Sequence, residues 1–179
     1  LENEEVRSSF EALKISETLI LNPNKVVFDL NSPMKNISVI GSGTMGNGIT
    51  HVFTQHGYEV SLIDIKQEFL DQALGTIRKN LDRQVNKGTL TEVDKNAALG
   101  RIKTFTDLET GVKNADLVVE AASENLGLKL DIFRQIDQFS PSEAILASNT
   151  SSISITKIAA VTKRPSQVIG MHFMNPVPV

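Results

Sequence analysis

The stretch ISVIGSGTMGNGI, residues 37–49, limits what this chain can fold into more than any other. Four β-rich residues lead directly into Gly41, Gly43 and Gly46 at G-x-G-x-x-G spacing, and a helical run follows. At such a junction the first glycine permits a tight turn, the second lets the backbone approach an anionic ligand, and the third lets the helix pack closely on the strand. The rest of the chain repeats the theme. From Lys35 onward, short β-rich runs at 37–40, 60–64, 116–120, 144–148 and 167–171 alternate with helical patterns at 47–56, 68–87, 92–99, 126–139 and 154–161. In the second helical pattern Phe69, Leu70, Ala73, Leu74, Ile77, Leu81 and Val85 recur at three- and four-residue intervals and form one apolar stripe. Strand runs that are apolar on both faces and joined by helices predict a doubly wound α/β fold with a mostly parallel sheet.

A chain of 179 residues holds one substantial core and little more. The expected organisation is a leader of unknown role at 1–33 and a single domain at 34–179. In the leader, Val6, Phe10 and Leu13 share a helical face and Val26, Val27 and Phe28 form a short β-rich run, with NPN and NSP as breaks. The formal net charge of -3 gives no electrostatic case for nucleic acid or an acidic membrane. The absence of Cys removes disulfides and thiolate metal sites, and three His (His51, His56, His172) do not suggest a structural metal, so none is expected. No apolar run approaches the roughly 20 residues that span a bilayer, and the acidic LENEEV is unlike a signal peptide. These features together point to a soluble, cytoplasmic protein.

The glycine loop is the first candidate site. Gly41, Ser42, Gly43, Thr44, Met45 and Gly46 are expected to hold phosphates at a helix N-terminus, where unpaired N–H groups and the helix dipole favour anions. Asp64 ends the next β-rich run, about 20 residues on, where a carboxylate accepts both hydroxyls of an adenosine ribose. That carboxylate repels a 2′-phosphate, no Arg follows it, and Lys66 is the only nearby cation, so NAD is expected rather than NADP.

Two further stretches, ADLVVEAASENLGLKLDIF and ILASNTSSISITKIAAVTKRPSQVIGMHFMNPVPV, together with VIGSGTMGNGI, resemble the NAD-dependent 3-hydroxyacyl-CoA dehydrogenases, in particular their bacterial 3-hydroxybutyryl-CoA branch. The likeness begins near Met34 and implies a Rossmann NAD-binding domain acting on an acyl-CoA thioester. His172 matches the family's catalytic His, the acid or base for the C3 hydroxyl, a role that an imidazole suits near neutral pH. Ser151 matches a serine that hydrogen-bonds the C3 oxygen beside the nicotinamide, and Asn175 matches an asparagine beside the substrate. Glu120 and Asn125 match contacts near the nicotinamide-side ribose, joining the loop and Asp64 as cofactor residues. Coenzyme A contacts fall on Asn80 and Lys87, the latter on a basic flank with Arg78, Lys79 and Arg83. Asn80 departs from the Ser of many relatives, and Met174 from a common Phe.

Plainer readings stand beside these. Ser151 and Ser152 also suit the cap of a helix beginning near Ser154, Glu120 suits a solvated acid at a strand end, and the basic flank suits a solvated helix face. His51 and His56 receive no role. In the family a Glu shortly after NPVPV orients the catalytic His, and a helical second domain closes the cleft and carries a homodimer contact; neither lies within these 179 residues. The expectation is a chain that binds NAD and turns over 3-hydroxyacyl-CoA poorly on its own. A non-catalytic NAD- or acyl-CoA-binding fragment is the alternative, and a dehydrogenase of free 3-hydroxy acids is a weaker one. Acyl chain length and reaction direction are not legible.

Overall fold

The computed structural model describes residues 34–177, so the expected leader, with its helical face and short β-rich run, lies outside the described residues. The chain runs β1 (Asn36–Ile40), α1 (Thr44–Gln55), β2 (Glu59–Ile63), α2 (Gln67–Asn86), α3 (Glu92–Gly100), β3 (Ile102–Phe105), α4 (Leu108–Val112), β4 (Leu117–Glu120), α5 (Leu126–Phe139), β5 (Ile145–Ser148), α6 (Ile155–Ala159), a 3-10 turn at Pro165–Gln167, and β6 (Val168–Gly170). The strands lie in the order β3-β2-β1-β4-β5-β6, and each adjacent pair is parallel. This is the doubly wound Rossmann arrangement that the alternation predicts. The chain builds outward from β1 to β3, then returns to lay β4 beside β1 and builds the other way. In folds of this kind the point where the direction reverses, beyond the ends of β1 and β4, is where ligands bind.

Burial follows position in the sheet. β4 is buried at every residue, and β1 at all but Asn36, because helices cover both faces. β3 lies at the edge and none of its residues is fully buried. That explains why IKTF was not anticipated: an edge strand of four residues with Lys103 and Thr104 carries no two-faced apolar run. The short α4 was also missed. It is set by Asp107, whose Oδ1 accepts the Thr110 N–H at 2.9 Å. α1 begins three residues earlier than expected because Gly43 is its N-cap and the last loop glycine lies inside the first turn. α6 is shorter at both ends than the expected 154–161.

α2 buries Leu70, Ala73, Ile77 and Leu81 of its stripe, while Phe69 at its start is 41% exposed. On the β4–β6 side, Phe133, Ile136, Leu146 and Ile158 are fully buried in one cluster. Arg164 ties this half together. Its Nε donates to Asp137 Oδ1 at 2.9 Å and its Nη2 to the Asp137 carbonyl at 2.6 Å, so the end of α5 holds the turn that leads into β6. Among the described residues no helix is long and apolar enough to cross a membrane, and no group of three or more His, Cys, Asp or Glu is placed to hold a metal.

Candidate functional site

The glycine loop is shaped by backbone sterics. Gly41 has φ +93°, and a Cβ there would stand 2.8 Å from the Ala121 carbonyl oxygen, where the loops after β1 and β4 pass each other. A Cβ on Gly46 would fall 1.7 Å from the Gly41 oxygen, so only glycine lets α1 rest on the strand end. Gly43 is different: a Cβ there meets nothing within 4 Å. It is exposed, as is Thr44, and among the described residues no side chain caps the first turn of α1, which also carries no acid. The first N–H groups of this 12-residue helix are therefore left to an outside acceptor.

Asp64 is brought directly onto the loop. Its Oδ2 accepts the Ser42 N–H at 2.7 Å and the Ser42 hydroxyl at 2.6 Å, and its Oδ1 accepts the Ile65 N–H at 2.7 Å. These donors fix a carboxylate that stays half-buried beside the exposed Ile65. Lys66, the neighbouring cation, lies 5.5 Å from the centre of the Phe69 ring. Uncapped helix donors, an open cradle at Gly43 and an oriented carboxylate fit a diphosphate joined to a ribose diol.

A second cluster sits at the ends of β4 and β5. Glu120 is fully buried, so it is not the solvated acid of the plainer reading. Its Oε1 faces the Lys129 ammonium at 2.7 Å and accepts the Ala122 N–H at 2.7 Å, and its Oε2 accepts the Ser148 hydroxyl at 2.6 Å. Both of its carboxylate oxygens are thereby bonded within the protein. Lys129 is 1% exposed and its ammonium also lies 3.8 Å from Glu124. Glu124 in turn accepts the Thr150 hydroxyl at 2.8 Å and the Ser151 N–H at 3.3 Å. Ser151 thus hangs on a loop anchored from β4 and α5, its own side chain exposed.

Glu124, Lys129 and Ser148 were not anticipated, although one signal was present. Lys129, Ile132, Phe133 and Ile136 are the buried positions of α5, so a lysine occupies the helix's apolar stripe and needs a buried anion. Asn125 is the N-cap of α5, its Oδ1 accepting the Leu128 N–H at 2.9 Å. The expected cap by Ser152 is not formed. Ser154 is the N-cap of α6, and the Thr150 hydroxyl accepts the N–H groups of Ser152 and Ile153 at 3.3 and 3.1 Å.

His172 lies just beyond β6, exposed, with Nδ1 3.0 Å from the Asn149 carbonyl oxygen. Phe173 donates its N–H to the Asn149 side-chain oxygen at 2.7 Å, and its ring stands edge-on to Phe53 of α1 with centroids 6.1 Å apart. Asn175 is exposed and precedes a cis bond to Pro176. His172 and the Ser151 loop therefore gather at the same strand ends as the glycine loop. Asn80 and Lys87 do not join them. Asn80 accepts from Arg83 at 3.2 Å, and Lys87 is the exposed C-cap of α2, about 30 Å along the helix from its start. Two surface hollows of about 360 and 470 Å³ are lined by none of the expected site residues. His51, given no role, is fully buried on α1 beside the side-chain amides of Gln84 and Gln55. Burial holds its pKa below the ordinary imidazole value, against the opposing amides of Gln84 and Gln55.

Residues 36–179 match the family model described as 3-hydroxyacyl-CoA dehydrogenase, NAD binding domain. The chain is 52% identical over 141 residues to a probable 3-hydroxybutyryl-CoA dehydrogenase of Deinococcus radiodurans, covering 79% of this chain and 50% of that protein. It is 45% identical to the 3-hydroxyadipyl-CoA dehydrogenase of Escherichia coli over 82% of this chain and 30% of that one. In structure it is similar to the (S)-3-hydroxybutyryl-CoA dehydrogenase of Ralstonia eutropha, with TM-score 0.80 and 47% identity over 82% of this chain and 52% of that chain. The chain spans about half the length of most of the curated relatives it matches, and less of the longest. The glycine loop, the acid after β2 and the parallel sheet thus meet a family model over most of the sequence: the chain belongs to the NAD binding domain family of the 3-hydroxyacyl-CoA dehydrogenases.

Proposed function

We propose that this chain carries the NAD site and the proton-transfer histidine of an enzyme that interconverts (3S)-3-hydroxyacyl-CoA and 3-oxoacyl-CoA, with short acyl chains such as 3-hydroxybutyryl as substrate. The observation that carries this reading is the convergence of an open, uncapped helix N-terminus at Gly43 and an exposed His172 on one edge of the sheet. The N–H groups of the loop and first turn hold the diphosphate of NAD, and Asp64 takes the ribose diol. NAD held there would supply the hydride acceptor for C3 of the substrate in oxidation, and its reduced form the donor in reduction. His172 removes the C3 hydroxyl proton in oxidation and returns it in reduction. The Ser151 hydroxyl donates to the same oxygen where charge develops, on a loop kept in place by Glu124. Asn175 lies beside the acyl group. Asn80 and Lys87 give coenzyme A a polar and basic flank on α2, and a cytoplasmic location suits this soluble chemistry.

The test is the rate, slow as it is for the chain alone, at which NADH is consumed by acetoacetyl-CoA at high protein concentration, compared between the chain and a His172→Gln variant. Loss of a general acid lowers the rate by about 10²–10⁴-fold. An equal rate in the variant removes His172 from the reaction. Equal turnover of acetoacetate without its thioester would favour the dehydrogenases of free 3-hydroxy acids.

A further inference from the structure

We infer that Ser42 serves the ribose end of the dinucleotide rather than its diphosphate, and that its hydroxyl limits the Asp64 carboxylate to a single ribose hydroxyl. The inference rests on the reading of the glycine loop and Asp64 as the NAD site. It goes beyond that reading in naming how many hydroxyls the acid takes and which side chain decides the number.

Ser42 has two polar protons, one on its N–H and one on its hydroxyl, and both go to Asp64 Oδ2, at 2.7 and 2.6 Å. The residue is 7% exposed, so this pair of bonds is enclosed beneath the loop. A donor committed to a carboxylate is not offered to a phosphate oxygen. The diphosphate therefore falls to the N–H groups from Gly43 onward, in the uncapped first turn of α1.

An ionised carboxylate offers about four lone-pair positions on its two oxygens. Oδ2 holds both Ser42 bonds, and Oδ1 accepts the Ile65 N–H at 2.7 Å. One position on Oδ1 stays open, and it accepts one hydroxyl. Without the Ser42 hydroxyl each oxygen has an open position, which suits both hydroxyls of a diol. The backbone keeps the acid from moving to gain room: the Asp64 N–H donates to the Phe105 carbonyl at 3.2 Å, and the Gly41 N–H to the Ile63 carbonyl at 2.8 Å. The Ser42 hydroxyl thus fills the acceptor position that a second ribose hydroxyl would take. Ser42 is a positioning residue that acts on the cofactor through Asp64.

Calorimetric titration of the 179-residue chain with NAD and with its adenosine 2′-deoxy and 3′-deoxy analogues tests this without turnover. The analogue that lacks the bonded hydroxyl should bind about tenfold more weakly than NAD or worse, the weight of one hydrogen bond to a charged group, and the other should bind within about threefold of NAD. In Ser42→Ala the freed position on Oδ2 takes the second hydroxyl, so both analogues should fall about tenfold below NAD. A hydroxyl with a merely structural role would weaken all three ligands by one common factor and leave their ratios unchanged. Two analogues that bind the parent chain alike overturn the inference, and so does a variant whose three ratios match the parent's. A parent chain that binds no NAD overturns the reading of the loop together with the inference. If the alanine variant does not fold, the ratios of the parent chain still decide.

Discussion

The loop after β1 and the cluster after β4 and β5 lie at the same ends of the parallel strands and are built by opposite means. At Gly41–Gly46 the shape comes from the absence of side chains: a Cβ at Gly46 would sit 1.7 Å from the Gly41 oxygen, and one at Gly41 would sit 2.8 Å from the Ala121 carbonyl oxygen. At Glu120, Lys129, Ser148 and Thr150 the shape comes from side chains bonded across 9 to 28 positions of sequence. A steric device of this kind needs only room for backbone to pass backbone, whereas a buried polar network holds only when every member is satisfied. The first suits a task common to many ligands, gripping a diphosphate. The second suits the orientation of particular atoms, here the Ser151 and Asn149 loop.

The largest effect is expected where the network loses a charge. Lys129→Met leaves Glu120 buried without its cation and should cost about 3–5 kcal/mol, read as a fall in thermal midpoint of roughly 10 °C or more. Pairing it with Glu120→Leu should recover much of that stability, because an apolar pair is tolerated where a lone buried ion is not. If the double variant is no more stable than the single one, the network contributes through the Ser148 and Ala122 bonds more than through the ion pair.

Next comes Gly46→Ala. The clash with the Gly41 oxygen should cost about 1–3 kcal/mol and abolish NAD binding together, since the helix and loop must part to admit the methyl group. Denaturant unfolding and an NAD titration on the same sample check both. Unchanged binding would show that the close approach of α1 to β1 does not set the loop.

The smallest effect is expected at His51, between the two regions on α1. Its folded pKa lies below the ordinary value of 6.5, mainly because burial disfavours the charged ring. The unfolded chain therefore takes up a proton first as pH falls. Stability from this group is complete above the unfolded pKa near 6.5 and is lost as pH drops through that value toward the lower folded one. His51→Gln should flatten the dependence of unfolding free energy on pH in that window. A parent chain with no such dependence would contradict the burial argument.

The same contrast explains what the sequence revealed. The loop, Asp64 and five of the six strands are legible because each is a local pattern: glycine spacing, an acid at a strand end, apolar runs bounded by helices. β3 is not, because an edge strand needs apolar residues on one face only and this one is short. The burial of Glu120 is not legible for a related reason. An acid at a strand end looks solvated until Lys129, nine residues later and inside an apolar helical stripe, is placed against it. Asn149 was passed over within Ser-Asn-Thr-Ser-Ser because its partners, His172 and Phe173, arrive from a strand more than twenty residues away. Asn80 and Lys87, carried over by resemblance, lie in the last two turns of α2 and at its C-cap, and no local pattern in the sequence marks them.

The central claim is that the open loop at Gly43 holds the diphosphate of NAD. Gly43→Ala tests it most directly, because the added methyl group meets no protein atom within 4 Å and should leave stability within about 0.5 kcal/mol of the parent. Calorimetric titration of both chains with NAD and NADP should give binding of NAD in preference to NADP by the parent. NAD affinity should fall by tenfold or more in the variant, at an unchanged thermal midpoint. Equal affinity of the two chains for NAD would contradict the account.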